Sequence, residues 1–425
     1  MPFLLLRLSK RSDFKSLIVQ LTQSYTVIIC SLVFLSYISI CLTDSIHYKT
    51  SNNSAISITS LLDYIMLPWS EVSEETFSAP FANTLYTQEK FNLPDGTEVF
   101  GYPDLKYSKT FDLEYFIIYF VFMVILNFII IIILSKIINY FIKKTNKITY
   151  YNHYFPRKTF YISLFIILTV LELLIYLTKN YHIMGTDKIG RDVFYLSIKS
   201  IRTGVLIGSL TTLFVMPLSI TFGTLAGYYG GKIDDLIQYL YTTLSSIPGV
   251  LLIAASILII QAQIALHPNW FINLEQQADF RLLALCFILS ITSWSGLCRL
   301  IRAETLKIKQ LDYILAARSM RVKANKIIIR HIIPNLSHII ILSVVLDFSG
   351  LVLAEAVLSY IGVGVDATTA SWGNMINSAR SELSREPVIW WTIIAAFVPM
   401  FILVLTVNLL ADKLRDALDP RTRLQ

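Results

Sequence analysis

The sequence predicts an all-α polytopic membrane protein with about eight transmembrane helices, and three observations carry that prediction. Of its 425 residues 55% are hydrophobic and 15% charged, with a mean hydropathy of +0.60; soluble domains average roughly 45–50% and about 25%. Eight stretches stay apolar over the roughly 20 residues that a helix needs to cross about 30 Å of hydrocarbon. Lys and Arg concentrate in alternate connections between those stretches, as the positive-inside rule requires. The net charge of +7 then needs no nucleic-acid partner to explain it.

The first stretch, Leu17–Thr43, follows Arg7, Lys10, Arg11 and Lys15. It is too long for a signal-peptide core and is read as a retained anchor. A polar segment over residues 44–113, with Pro, Asn, Ser and several acids, is read as an outer loop. Spans are expected at Glu114–Ser135, Thr159–Thr178, Ile201–Tyr228, Leu236–Ala262, Leu282–Leu300, Leu336–Leu358 and Ile389–Ala411. Charge places both termini on the cytoplasmic side, with Lys136–Lys158, the turn at Lys232 and Arg299–Asn335. Cys30, Cys41, Cys286 and Cys298 make no CxxC pair and read as small core or lipid-facing residues.

A boundary falls near residues 179–200. No Gly occurs from Met1 to Pro94, whereas Gly204, Gly208, Gly223, Gly227, Gly230 and Gly231 follow in quick succession. Small residues let membrane helices approach closely, and packing inside one subunit is favoured over dimerisation. Two domains are expected: an extension, 1–183, with three spans, and a five-span core, 184–425.

The segment Arg299–Asn335 is strongly basic yet lies between apolar spans. One Tyr among its cations argues against a nucleic-acid surface. After Lys323, Ile327, Ile328, Ile332 and Ile333 alternate with Lys326 and Arg330 as in an amphipathic helix on anionic lipid. Before it, Ala316 and Ala317 would let a partner approach, and Pro334 is expected to close the segment.

These residues resemble the "EAA" loop of ABC importer permeases, and RHIIPN, Arg330–Asn335, resembles the closing signature of the dipeptide/oligopeptide branch. GTDKIGRDVF (Gly185–Phe194), AGYYGGKIDD (Ala226–Asp235), EAVLSYIGVG with SWGNMI (Glu355–Gly364, Ser371–Ile376) and RDALDPR (Arg415–Arg421) resemble further motifs of that branch, in its order. The chain is thus similar to a C-type permease, a binding-protein-dependent inner-membrane component. The resemblance implies a type I importer core with a coupling helix, here 301–335, that carries Tyr313, Leu315, Ala316, Ala317, Met320, Arg321, Arg330, His331, Pro334 and Asn335. It also implies a second permease, two cytoplasmic ATPase subunits that bind ATP and Mg, an external solute-binding protein, and residence in a bacterial inner membrane. Two positions depart from the pattern: Leu315 stands for Glu, and Arg321 for a Gly that would suit a left-handed turn. Branch members usually carry one span before the GTD segment, so two spans of the extension and the outer loop Asp44–Leu113 are additional.

The remaining candidates have plain alternatives. GYYGGK fails as a phosphate loop because Ala226 and Ile233 stand where Gly and Ser or Thr are needed. Gly230–Gly231 reads instead as a tight turn, with Asp234 and Asp235 capping the next helix. No Ser–Lys, Asp–Asp or HExxH set is present, so catalysis in this chain is not expected. Asp347 and Glu355 are candidates for a translocation path, Asp347 alternatively pairing with a neighbouring helix and Glu355 anchoring the turn toward Gly362. Gly185, Asp187, Gly190, Arg191 and Asp192 form an outer motif whose charges either pair internally or meet a binding protein. Glu172 is assigned an interfacial or helix-pairing role rather than one in transport. Function is expected to be inward peptide transport by alternating access. The alternatives are nickel or a peptide antibiotic as cargo, or a membrane scaffold that no longer couples.

Overall fold

A computed structural model describes residues 21, 23–52, 55–66, 76–92, 98–105, 113–144, 156–178, 181–271 and 274–418. Helix α1 (Tyr25–Ser45) leads into a hairpin, β1 (His47–Asn52) antiparallel to β2 (Ala55–Ser60), and a short α2 (Leu61–Ile65). A second hairpin pairs β3 (Glu89–Asn92) with β4 (Glu98–Gly101) before α3 (Leu113–Lys144) and α4 (Arg157–Thr178). There follow α5 (Val193–Tyr229), α6 (Gly231–Ser246), α7 (Gly249–Leu266), α8 (Leu274–Ile308), α9 (Asp312–Ser319), α10 (Ala324–Ile327), α11 (Ile333–Tyr360), α12 (Trp372–Glu382) and α13 (Trp391–Leu418). Among the described residues, eight helices are long and apolar enough to span, three before residue 193 and five from it onward. The chain is thus a multi-pass, all-α membrane protein. The basic residues at 7–15 and Arg421 lie outside the described residues.

Two expected boundaries differ. Leu236–Ala262 is not one helix: Pro248 lacks an N–H, and the chain breaks at Ile247–Pro248 between α6 and α7. Pro334 does not close a segment either. It cannot donate to the Arg330 carbonyl, and the preceding turn, Ile328–Ile332, widens to a π turn in which Ile333 N–H donates to the Ile328 carbonyl. Helix thus continues from Ala324 to Tyr360.

Two compact units share the chain. Among described residues, one holds 21–203 and 370–406, the other 204–369 and 407–418. In the first, Asn127 Nδ2 donates to Glu172 Oε2 at 2.8 Å, pairing α3 with α4. The connection from α1 to α3 binds the start of α5. Asp63 accepts from Tyr195 Oη at 2.6 Å and Lys199 Nζ at 2.7 Å; Asp44 accepts from Ser60 Oγ at 2.7 Å, with Arg202 Nη1 at 3.9 Å. The extension therefore supplies the carboxylates that offset two cations in an otherwise apolar helix. Within α13, Pro399 cannot donate to the Ala395 carbonyl, which accepts instead from Ser197 Oγ.

In the second unit α5 and α8 cross closely. A Cβ at Gly223 would sit 2.8 Å from the Cys298 carbonyl and from Ile301 Cβ, and one at Gly227 would sit 2.6 Å from Thr305 Cβ. A core forms around that crossing from Trp294, Leu297, Ile301, Ile314, Ile327, Ile328, Ile332 and Leu336. The isoleucines assigned to a lipid surface therefore fill protein interior. Asp234 likewise caps nothing. Its carboxylate takes both arms of Arg302, at 2.5 and 2.6 Å, and this pairing holds it below the usual carboxylate range despite burial.

Two predictions follow from this packing. Gly223→Val forces a side chain into the crossing and should cost about 1–3 kcal/mol. Thermal unfolding in detergent should show a lower Tm, whereas Gly296→Ala, with nothing within 4 Å of the new Cβ, should show no loss. Glu382 is 2% exposed and neither of its oxygens has a hydrogen-bond partner. Burial and, more weakly, Asp187 push its carboxyl above its ordinary 4.5, while Thr392, Lys188 and Arg385 pull the other way. A raised folded value means stability that is fully present below pH 4.5 and lost as pH rises through the folded value. Tm should therefore fall with rising pH above that point, and Glu382→Gln should flatten the slope; an unchanged slope in the variant would count against this assignment.

Candidate functional site

The short helix α9 lies between the two longest stretches of the second unit, and its sequence sets its length. Leu311, in extended conformation, precedes it, and Asp312 in its first turn and Arg318 in its last suit the helix dipole. The helix ends in a Schellman arrangement: Arg321 N–H donates to the Arg318 carbonyl at 2.9 Å and Val322 N–H to the Ala317 carbonyl at 3.1 Å. That turn requires a left-handed residue, and Arg321 takes it with φ +53°. Arg321 therefore adopts the conformation for which the resembling pattern carries Gly.

One face of α9 is fixed and the other free. Ile314 is fully buried, and Ala317 and Val322 pack against the same core. Arg318 lies over the Tyr228 ring at 5.9 Å, tying α9 to the end of α5. Asn335 Nδ2 donates to Tyr313 Oη at 2.7 Å and to the His331 carbonyl at 2.8 Å, tying it to α11. Leu315 is 46% exposed and Met320 80%, with Ala316 also open and the cations Arg318, Arg321 and Arg330 around them. The expected loop 301–335 is thus mostly helix: α8 runs to Ile308 and α10 begins at Ala324. What remains is a rigidly held, apolar-centred, basic-rimmed knob.

The other candidates are spread elsewhere. In the Gly185 motif, Asp187 accepts from the Ile189 and Arg191 N–H groups and from Arg191 Nε at 2.9 Å. Asp192 caps α5 through Tyr195 N–H at 2.8 Å and meets His182 Nδ1 at 2.6 Å. Gly190 has φ +82° in this turn. These charges pair internally. Residues 77–81, which sequence reasoning left unassigned, clasp the same motif: Thr186 N–H donates to the Ser78 carbonyl, Ser78 N–H to Thr186 Oγ1, and Phe81 N–H to the His182 carbonyl. A Cβ at Gly185 would collide with the Ser78 carbonyl. The contact is made largely by backbone atoms, so no side-chain pattern announces it.

Glu355 and Asp347 have different surroundings. Glu355 is 1% exposed and accepts from Ser359 Oγ at 2.7 Å, and that hydroxyl accepts in turn from Val365 N–H. Gly364 packs directly on Ser359. The carboxyl thus anchors the turn around Gly362. Asp347 is half-buried midway along α11. Among the described residues no group of three His, Cys, Asp or Glu could hold a metal.

A test of the left-handed turn is direct. Replacing a non-Gly residue at positive φ by Gly relieves about 1 kcal/mol, so Arg321→Gly should raise Tm or slow hydrogen exchange at Val322. An Arg321→Val variant, β-branched at the same φ, should do the opposite.

Comparison with known proteins adds an independent line. Residues 219–424 match the family described as binding-protein-dependent transport system inner membrane component. The dipeptide transport system permease protein DppC of Bacillus subtilis is 31% identical over 245 residues, which cover 57% of this chain and 69% of that protein. The glutathione transport system permease protein GsiD of Pectobacterium atrosepticum is 33% identical over 242 residues, covering 57% and 73%. The oligopeptide transport system permease protein OppC of Bacillus subtilis is 27% identical over 245 residues, covering 57% and 72%. With its spans, its helical core and these relatives, the chain belongs to the family of binding-protein-dependent transport system inner membrane components.

Proposed function

We propose that this chain is one permease subunit of an ATP-driven importer of short peptides. It would work beside a second, unlike permease, two cytoplasmic ATPase subunits that bind ATP and Mg, and an external solute-binding protein. Both termini face the cytoplasm of a bacterial cell, in its inner membrane. The observation that carries the reading is α9: a helix held on one face by Ile314, Arg318 and Tyr313, with Leu315, Ala316 and Met320 left open on the other.

A groove on a moving ATPase that gripped the open face would displace α9 as a body. The tie from Arg318 to Tyr228 passes that displacement to α5, and the tie from Tyr313 to Asn335 passes it to α11. Closure of the ATPases then biases the spans between two arrangements, which is alternating access. The relatives' printed names support peptides as cargo, dipeptides and oligopeptides among them. Hydrolysis of ATP would belong to the partner subunits.

The test is purification of the chain from its native membrane in mild detergent, with mass spectrometry of what accompanies it. Ala316→Asp is the variant of choice because Ala316 is exposed whereas Ala317 packs inward. Wild type should bring two ATPase subunits and a second permease, and the variant should bring about tenfold fewer ATPase copies. If neither protein brings an ATPase while a control importer stays intact, the scaffold reading replaces this one.

A further inference from the structure

Acids inside apolar helices are normally met by a partner, because an isolated charge there is costly. This chain follows the rule at Glu172, met by Asn127, and at Glu355, met by Ser359. It breaks the rule at Asp347. No ion pair or hydrogen bond to its carboxyl group is formed among the described residues, although both sequence neighbours are engaged. Phe348 fills the space against Gly208 of α5, and Ser349 Oγ donates to Asn408 Oδ1 of α13 at 2.8 Å.

The position is specific. Asp347 lies about 20 Å of helix from either end of α11, near mid-depth of the membrane. Beside Asp347, Leu346 is exposed and Gly350 has nothing within 4 Å of where a Cβ would be. An unpartnered carboxyl group in mid-span with open space next to it marks a candidate for a membrane-embedded binding site.

Resting on the peptide-import reading above, we propose that Asp347 binds cargo: its carboxyl group receives the ammonium group of a lysine side chain of the passing peptide. The carboxyl group is left unpartnered by the fold so that the cargo can complete it. The interaction is reversible, and no bond is made or broken.

The experiment measures uptake of Ala-Lys-Ala, Ala-Gln-Ala and Ala-Glu-Ala by the complete importer in cells without other peptide uptake, with the chain's membrane abundance recorded. In Asp347→Asn the ratio of maximal uptake of the lysine to the glutamate peptide should fall about tenfold, the scale of one charge-assisted hydrogen bond. KM, set by external capture, should not move. Asp347→Glu should keep the wild-type ratio. Should Asp347→Asn be lost from the membrane, Gly350→Leu obstructs the open space without touching the carboxyl group and should give the same fall. An unchanged ratio in Asp347→Asn, or in Gly350→Leu where that variant stands in, or an equal loss in Asp347→Glu, overturns the proposal. Wild type that takes up none of the three peptides overturns the peptide reading itself, and this inference with it.

Discussion

Glycine against the Cys298 and Arg302 carbonyls and the Ile301 and Thr305 side chains is how α5 and α8 meet at Gly223 and Gly227, and much of the second unit depends on that approach. Larger residues would hold the helices apart and open voids around Trp294, Leu297 and Ile301, which interiors do not tolerate at native packing density. The same core receives Ile314 from α9 and Ile327, Ile328 and Ile332 from the helix that follows. The position of the short helix is thus set by a crossing of two other helices, α5 and α8. Past that crossing, Arg302 grips Asp234 with both arms, so that the polar end of the interface is as specific as its apolar centre.

Charge neutralisation organises the other unit in a similar way. Lys199 and Arg202 belong to α5, an otherwise apolar helix, and would be expensive there if alone. Asp44, in the last turn of α1, and Asp63, in α2, answer them. The extension and the start of α5 are therefore one electrostatic unit, and residues 77–81 add a backbone clasp on the Gly185 turn. A segment that is additional by comparison with the resembling branch is here bound into the fold by its own carboxylates.

How much of this the sequence disclosed follows from the range of each signal. Span number was legible because apolar length is a local property. The break at Pro248 was also local, yet the absence of any charge across 236–262 masked the Pro-Gly pair. At Pro334 the error ran the other way: a proline that ends most helices is absorbed by one widened turn. The isoleucines of 327–333 have amphipathic spacing whether their apolar side meets lipid or protein, and only the fold distinguishes the two. Asp63 and Asp44 as partners of α5 were illegible, since each pairs across more than a hundred residues of chain and neither belongs to a motif.

The two departures from the resembling loop pattern, Leu315 and Arg321, are physically compatible with a working helix. A left-handed residue at the Schellman position costs about 1 kcal/mol when it carries a side chain. The cost is local and is met by two closing hydrogen bonds together with the packing of Val322. Leu315 exchanges an acid for an apolar residue on the open face of α9, leaving Asp312 as the acid of that helix. Both changes move the surface in one direction, toward more apolar area and more positive charge. A partner that fits it would present an apolar groove with an acidic rim, because like charges across an interface weaken binding and matched ones also speed association. Divergence in this helix is then better understood as one half of a matched pair than as decay, since random loss would not be expected to preserve the buried Ile314, the Tyr313–Asn335 bond and the turn geometry together.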